Sequence, residues 1–189
     1  MDELIIKIMV IGDINVGKTT AIARFVDGKF ITDTRSTIGV DFSLKHMSID
    51  VDEENSKVVP VALQIWDVAG EQKFRQILPY YIQGTKGLVL VFDNNSTLGS
   101  LHEWLKMIGE HLDAINIPKV LISAKSDLNP DLDKNLIGSF LKKFKMAHYF
   151  ATSSKLGDNI DPAFVKLSQL IISKEYPHYS KNSSLSANL

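Results

Sequence analysis

The sequence predicts an α/β fold, a three-layer sandwich in which helices cover both faces of a six-stranded, mostly parallel sheet with one antiparallel edge strand. Two observations support this prediction. Short runs rich in Val and Ile alternate with segments whose apolar residues follow helical spacing, an order typical of a parallel sheet covered by helices. In addition, two consecutive alternating segments separated by a short polar stretch indicate a hairpin, which supplies the single antiparallel pair.

The first strand is predicted at residues 4–11, an Ile- and Val-rich run that ends at Gly12 and is typical of a buried parallel strand. The first helix follows at residues 19–26, because apolar side chains there recur on one face and Gly28 provides a stop signal. Residues 30–39 are polar and rich in Thr and Ser, and we interpret them as an exposed loop.

The predicted hairpin consists of residues 40–51 and 58–66, in which apolar and polar side chains alternate, with the polar stretch 52–56 between them. Residues 87–92 (GLVLVF) contain no polar side chain and therefore predict a central strand. Residues 98–115 return to helical spacing and predict a helix.

The last two strands are predicted at residues 119–123 and 147–152. Each is followed by a predicted helix, at residues 132–144 and 160–173 respectively. With 189 residues and no linker between two units, the chain is expected to form one domain, which we place at residues 1–175. Residues 176–189 are polar, and we predict that this tail is disordered.

A glycine-containing loop joins the first strand to the first helix. Residues 12–19 (GDINVGKT) match the pattern G-x-x-x-x-G-K-[ST], in which successive backbone N–H groups point into one concavity that binds phosphate. Lys18 supplies a positive charge for the outer phosphates, and the Thr19 hydroxyl is a hard ligand suited to Mg²⁺. The motif alone does not distinguish kinases, ATPases and GTPases. The alternative interpretation is a turn that matches the pattern but does not bind phosphate.

Three later residues could complete this phosphate site. Asp67 ends an apolar strand, where its carboxylate could hold the metal through water, and Gly70 opens the next loop, where its N–H could approach the outermost phosphate. Thr37 lies in the exposed loop after the first helix and could close on the metal. These positions favour a nucleotide-dependent switch over a kinase, for which no phosphate-acceptor site is visible.

Several segments resemble the Ras-like small GTPases, and most closely the Rab branch. Residues 36–42 (STIGVDF) resemble the first switch segment of Rab proteins, and residues 66–70 (WDVAG) resemble the family's WDTAG. Residues 80–84 (YYIQG) resemble its second-switch helix. The resemblance extends from about residue 5 to residue 172 and implies a P-loop NTPase fold with GTP or GDP and Mg²⁺ as ligands.

Carried over by position, the resemblance implies a role for each matching residue. The backbone N–H groups that would surround the phosphates belong to Asn15, Val16, Gly17, Lys18, Thr19 and Thr20. Thr19 and Thr37 would ligate Mg²⁺, with Asp67 behind a water molecule. Gly70 would sense the γ-phosphate, and Phe30 would pack beside the guanine. An aromatic patch for effectors, exchange factors and GTPase-activating proteins would consist of Phe42, Trp66 and Tyr81.

Residues 124–127 (AKSD) follow the fifth strand, where the family carries N-K-x-D. A carboxylate at Asp127 could accept hydrogen bonds from N1–H and the exocyclic amine of guanine together, which adenine cannot offer. We interpret Asp127 as the guanine discriminator, with a helix N-cap as the alternative. Lys125 would lie along the ring face. Ser154 and Lys155 lie in a segment that resembles the family's SAK, whose middle backbone N–H meets the guanine oxygen.

Ala124 departs from the family, which carries an asparagine that bridges the base and the phosphate loop. Because a methyl group cannot make the hydrogen bonds of that asparagine, we predict that the free energy of nucleotide binding is weaker by about 1–3 kcal/mol, without loss of specificity for guanine.

Glu71 stands where the family places the glutamine that orients the attacking water, and its charge would repel the γ-phosphate. We therefore predict slow hydrolysis, with Glu71, Gln72 and Lys18 as candidate catalytic residues and with Ile14 crowding the site. The alternatives are that Gln72 takes the role after a one-residue shift, that Glu71 is only a solvated charge, or that the protein binds nucleotide with negligible turnover.

Composition limits the partners and the location. The net charge of −1 gives no field that would attract nucleic acid or an anionic membrane. The sequence contains no cysteine, so neither a disulfide nor a prenyl anchor is expected. No signal peptide and no apolar run near the ~20 residues of a membrane span are present. We predict a monomeric cytoplasmic protein that reaches membranes only through a partner.

Overall fold

The computed structural model describes residues 2–32, 36–52 and 57–180. The strands are β1 (Leu4–Ile11), β2 (Val40–Asp52), β3 (Lys57–Val68), β4 (Gly87–Phe92), β5 (Lys119–Ser123) and β6 (Tyr149–Ala151). The helices are α1 (Lys18–Asp27), α2 (Leu78–Tyr81), α3 (Asn95–Gly109), α4 (Lys134–Lys143), α5 (Ile160–Glu175) and α6 (Pro177–Ser180). A 3-10 turn at Gln72–Ile77 leads into α2, and another at Ser126–Leu128 follows β5.

The strands form one sheet in the order β2-β3-β1-β4-β5-β6. The β2–β3 pair is antiparallel, and the remaining neighbours run parallel, which confirms the predicted fold class. Because parallel strands end at the same edge of a sheet, the loops that follow β1, β3, β4 and β5 meet there.

Two apolar layers hold the helices against this sheet. On one face, α1 and α5 meet where the rings of Phe25 and Phe164 stack with their centroids 4.2 Å apart. On the other face, α3 and α4 cover the sheet, and the side chains of Trp104 and Ile108 are fully buried there.

Polar caps set the helix boundaries more sharply than apolar spacing does. Asn94 accepts hydrogen bonds from the backbone N–H groups of Ser96 and Thr97, so α3 begins at residue 95 rather than at 98. The helix ends at Gly109, and the prediction that it continues to residue 115 was wrong. Asp133 caps α4 by accepting hydrogen bonds from the backbone N–H groups of Asn135 and Leu136.

A short helix follows α5 within residues 176–189, the segment that was predicted to be a polar tail beyond a domain ending at residue 175. Residues 177–180 form α6, and the rings of Tyr176 and Tyr179 pack against the apolar layer on the α5 face. The ammonium of Lys57 donates to the carbonyl of His178 at 3.3 Å, so α6 lies beside the beginning of β3. Residues 181–189 of the predicted tail lie outside the described residues. Within the described ranges, no helix is both long and apolar enough to cross a bilayer.

Lys119 is a buried cation at the start of β5, far from the edge where the loops meet. Its ammonium donates to the carbonyls of Ile115, at 2.7 Å, and Ile117, at 3.2 Å. Burial lowers the pKa of Lys119 to about 8; the charge of Asp113 opposes this shift, and that of Lys174 adds to it.

We expect Lys119→Met to remove the part of the free energy of unfolding that changes with pH between about 8 and 10.5. The folded protein releases the Lys119 proton near pH 8, whereas the unfolded chain keeps it until about pH 10.5. Between these values the unfolded chain binds more protons, so the free energy of unfolding of the wild type rises with pH relative to that of the variant. Urea unfolding at about pH 7 and about pH 10 measures this, with Lys143→Met, at an exposed lysine, as the control. A difference between wild type and Lys119→Met that stays constant with pH contradicts the prediction.

Candidate functional site

A cleft of about 610 Å³ opens at the sheet edge where the loops meet. Its walls include nearly all the residues that the sequence predicted to bind nucleotide, namely Asn15, Gly17, Lys18, Thr19, Thr20, Phe30, Thr37, Gly70, Lys125, Asp127, Ser154 and Lys155. Val16 is not among them, because its side chain is buried in the core. Residues that are far apart in the sequence are thus brought together at one site.

The loop between β1 and α1 is shaped by three residues with positive φ, namely Gly12 with φ of 148°, Asn15 with φ of 61° and Gly17 with φ of 107°. Lys18 starts α1, and its ammonium donates to the carbonyls of Gly12, at 3.0 Å, and Asp13, at 2.8 Å. The ammonium therefore lies across the loop, at the N-terminus of a helix whose first N–H groups lack intrahelical partners. This arrangement of donors and positive charge is suited to an anion.

Lys18 is only 6% exposed, and burial lowers the pKa of its ammonium, although the charges of Asp67 and Asp13 oppose the shift. A buried cation of this kind gains stability from an anion that enters the cleft beside it.

Three oxygen-bearing side chains converge next to Lys18. The hydroxyls of Thr19 and Thr37 are 3.0 Å apart, and both donate to Oδ2 of Asp67, Thr37 at 3.4 Å. Within the described ranges, Oδ1 of Asp67 is buried and has no hydrogen-bond partner. Burial raises the pKa of this carboxyl, while the bond from Thr19 and the charge of Lys18 lower it. Buried hard oxygens with an unused acceptor fit Mg²⁺, either directly or through its water.

Gly70 lies directly on the backbone of the phosphate loop. A Cβ at this position would come within 2.2 Å of the amide nitrogen of Ile14 and 2.3 Å of the carbonyl carbon of Asp13. The backbone N–H of Ala69 donates to the carbonyl of Gly39 at 2.9 Å, which joins this loop to the one that contains Thr37. The three loops are therefore in direct contact with one another.

Asp127 lines the other end of the cleft, and its Oδ1 accepts a hydrogen bond from the Ser153 hydroxyl at 2.7 Å. Lys125, in the left-handed region with φ of 61°, donates to the carbonyl of Asn15 and to the carboxylate of Asp93, both at 2.7 Å. The sequence predicts Lys125 along a ring face but gives no sign of this tether, which joins the loop after β5 to the loop between β1 and α1. It shows that the two ends stay connected although Ala124 lacks an amide.

Ala124 is 2% exposed and lies beside the phosphate loop. A Cβ on Gly17 would be 3.3 Å from the Ala124 methyl, so the two loops pack closely at this point. The methyl fills the space between them but offers no hydrogen bond.

Glu71 and Gln72 take different positions. Glu71 lines the cleft, and its carboxylate pairs with the Lys73 ammonium at 2.6 Å. Gln72 begins the 3-10 turn and is not among the lining residues. Ile14 also lines the cleft and is 45% exposed. Of the neighbouring residues Glu71 and Gln72, Glu71 alone lines the cleft.

An aromatic patch formed by Phe42, Trp66 and Tyr81 lies on the surface beside the cleft. The Trp66 ring centroid is 5.5 Å from that of Phe42 and 5.6 Å from that of Tyr81. The Lys7 ammonium lies 4.3 Å from the Trp66 centroid and donates to the carbonyls of Tyr81 and, at 2.8 Å, Gln83. Lys7 thus fixes the end of α2 against the patch, a role that sequence reasoning missed.

The indole of Trp104 makes a second contact that the sequence did not predict. Its N–H donates to Oδ1 of Asp13, in the phosphate loop, at 3.1 Å. A buried indole N–H needs an acceptor, so the sequence held a signal for a polar neighbour but not for its identity.

Comparisons with known proteins agree with this geometry. The sequence model of the Ras family matches residues 7–173, a range that contains every cleft-lining residue. Ras-related protein Rab-10 of Diplobatis ommata is 33% identical over 178 residues, which cover 91% of this chain and 84% of that protein. Ras-related protein SEC4 of Saccharomyces cerevisiae is 34% identical over 174 residues, covering 91% and 77%. Ras-related protein RABE1e of Arabidopsis thaliana is 32% identical over 174 residues, covering 88% and 75%.

Proposed function

The chain belongs to the Ras family of small GTPases, and from this premise we propose that it is a Rab-like switch that binds GTP and GDP with Mg²⁺ and hydrolyses GTP slowly. The observation that carries the proposal is that one cleft combines a buried ammonium at Lys18, a cluster of hard oxygens around Asp67, and a carboxylate at Asp127. The first two suit phosphates and a divalent cation, and the third suits guanine.

At the phosphate end, Lys18 and the N–H groups of residues 15–20 would bind the β- and γ-phosphates. Thr19 and Thr37 would hold Mg²⁺ by their hydroxyls, with Asp67 accepting from a metal-bound water. When bound, Mg²⁺ would neutralise negative charge on the phosphates.

At the base end, Asp127 would accept from the two N–H donors on the guanine edge, while Phe30 would pack beside the ring and the backbone N–H of Ser154 would meet the guanine oxygen. The Ser153 hydroxyl occupies one lone pair of Asp127 and helps to orient the carboxylate toward the base. Adenine lacks these donors, and binding it would leave the charge of Asp127 without partners.

The switch would be carried by the loops of Thr37 and Gly70. Both lie at the phosphate end, and the hydrogen bond from Ala69 to Gly39 couples them, so loss of the γ-phosphate would release the two together. Effectors, exchange factors and GTPase-activating proteins would read this change at Phe42, Trp66 and Tyr81. We place the protein in the cytoplasm as a monomer that meets membranes through a partner.

Hydrolysis would depend on Glu71. A carboxylate can accept a hydrogen bond from the attacking water but cannot donate one, and it repels the γ-phosphate. The ion pair with Lys73 neutralises part of this charge, so Glu71 reduces the rate without excluding the reaction. The alternative is a module that binds nucleotide with negligible turnover, and the relatives give it no support. Measurement of the hydrolysis rate distinguishes the two.

The experiment that tests the proposed function is extraction and identification of the nucleotide that copurifies with the protein, followed by titration with GDP, GTP and ADP. We expect guanine nucleotide, and we expect removal of Mg²⁺ by a chelator to accelerate its release. A folded protein that contains no nucleotide and binds neither GDP nor GTP overturns the proposal.

Glu71→Gln is expected to accelerate single-turnover hydrolysis of GTP by about tenfold, because the amide can both accept from and donate to the attacking water. The measurement follows phosphate release from protein preloaded with GTP. Gln72→Ala is the matched control, since residue 72 does not line the cleft and its replacement should leave the rate unchanged. A rate that falls with Gln72→Ala but not with changes at residue 71 contradicts the assignment.

A further inference from the structure

We propose that Arg24, on the last turn of α1, is a positioning residue for guanine recognition. Its guanidinium packs on the turn formed by residues 153–157 and thereby holds the Ser153 hydroxyl in the orientation that donates to Asp127. The inference rests on the proposed function, because it assigns a task to Arg24 in the recognition of the base.

The guanidinium is held on both sides. Nη1 donates to the carbonyl of Gly28 at 2.9 Å, and Nη2 donates to the carbonyl of Leu156 at 3.3 Å. The backbone N–H of Gly28 in turn donates to the carbonyl of Arg24 at 3.0 Å, which closes α1 at this residue. Arg24 therefore links the end of α1 to a turn that lies more than a hundred residues away in the sequence.

Gly157 shows how closely the guanidinium approaches this turn. A Cβ at Gly157 would come within 2.7 Å of Nη2, 3.1 Å of Nε and 3.3 Å of Cζ of Arg24. Gly157 also has φ of +88°, a conformation that side chains disfavour, and its N–H donates to the carbonyl of Ser153 at 2.7 Å. The guanidinium and the glycine thus form one packed unit.

The turn determines where the Ser153 hydroxyl directs its proton. Oγ of Ser153 accepts from the backbone N–H of Leu156 at 3.1 Å and donates to Oδ1 of Asp127 at 2.7 Å. Because Leu156 supplies the bond that Oγ accepts, the hydroxyl proton is left to point at Asp127. Ser153 is fully buried, so no water competes for that proton. The carbonyl of the same residue, Leu156, is the group that Arg24 holds.

A continuous series of contacts consequently connects the two ends of the site. α1 begins with Lys18 at the phosphate end and carries Arg24 in its last turn, from which the contacts pass through Leu156 and Ser153 to Asp127. This series of contacts matters more for the position of Asp127 because the side chain of Ala124 contributes no hydrogen bond between the loops. Arg24 touches no part of the expected ligand, so it acts only by positioning Asp127.

The test compares the affinities for GDP and for IDP, whose base lacks the exocyclic amine, in the wild type and in Arg24→Gln. If Arg24 positions the carboxylate, the variant loses about tenfold in affinity for GDP and much less for IDP, because IDP makes one bond fewer to Asp127. The ratio of the two affinities therefore shrinks. Lys29→Gln, at an exposed cation next to the end of α1, is the matched control and should keep the ratio.

Two further variants separate positioning from general damage. Arg24→Lys should also reduce the ratio, because an ammonium cannot donate to Gly28 and Leu156 at once while lying flat on Gly157. Ser153→Ala should reduce the ratio by itself, and adding Arg24→Gln to it should reduce the ratio little further, since both act on the same bond.

An Arg24→Gln protein that weakens GDP and IDP by the same factor overturns the inference and leaves the proposed function intact. A wild type that binds ADP as tightly as GDP overturns the proposed function instead.

Discussion

Lys18→Met is expected to lower the affinity for GDP and GTP by about 10³-fold or more, because it removes the buried cation that faces the phosphates. Two or more charge-assisted bonds of about 1.5–3 kcal/mol each are lost together with the support that the ammonium gives to the carbonyls of Gly12 and Asp13. Titration with a fluorescent GDP analogue measures the change.

The fold itself should tolerate this substitution. Burial already disfavours the charged form of Lys18, and the methionine side chain resembles the lysine stem in shape. The midpoint of urea unfolding of nucleotide-free protein should therefore change little, while the wild type alone gains stability on addition of GDP. Lys29→Met, which removes an exposed cation outside the cleft, serves as control. An affinity within threefold of wild type for Lys18→Met would show that the phosphates bind elsewhere.

Asp127→Ala is expected to abolish the preference for guanine. The carboxylate accepts from two donors on guanine, and its loss leaves both without partners inside the cleft, which predicts a fall in GDP affinity of about 10³-fold. The affinity for ADP, which does not use these bonds, should stay the same or rise slightly. Competition of GDP and ADP for the same fluorescent ligand measures both values in one series.

Asp131→Ala is the matched control, because Asp131 is an exposed carboxylate a few residues further along the same segment. It should leave the ratio of GDP to ADP affinity unchanged. If Asp127→Ala retains a preference for GDP close to that of the wild type, Asp127 is no more than a structural residue of the 3-10 turn.

The sequence was most informative where chemistry restricts residue type and spacing. The phosphate loop combines glycine, lysine and threonine in a fixed order, so Lys18 and Thr19 could be predicted as site residues from the sequence alone, and both line the cleft. Two short strands with apolar centres were equally clear, since the predictions at residues 87–92 and 119–123 match β4 and β5 at both ends. In both cases local sequence is enough to determine the local structure.

The contacts that the sequence did not reveal all join segments that are distant in the chain. Lys125 to Asp93 and Trp104 to Asp13 depend on how α3 and the loops pack on the sheet, which periodicity does not encode. In addition, the type of a residue does not determine its partner. Lys125 was predicted only to lie along the face of a base, and its bonds to Asn15 and Asp93 were not predicted. The sequence also could not show which of Glu71 and Gln72 lines the cleft. That depends on where the 3-10 turn begins, and no sequence pattern indicated its first residue.

The position of α6 has a practical consequence for experiments on surfaces. α5 begins next to the turn at the cleft and runs the length of the sheet, so Glu175 pairs with Lys86 just before β4, and α6 lies beside Lys57 at the start of β3. α6 therefore lies at the edge of the sheet opposite the cleft. Protein immobilised through α6 would present the cleft to the bulk solution, so the binding and release of a ligand could be timed without obstruction by the support.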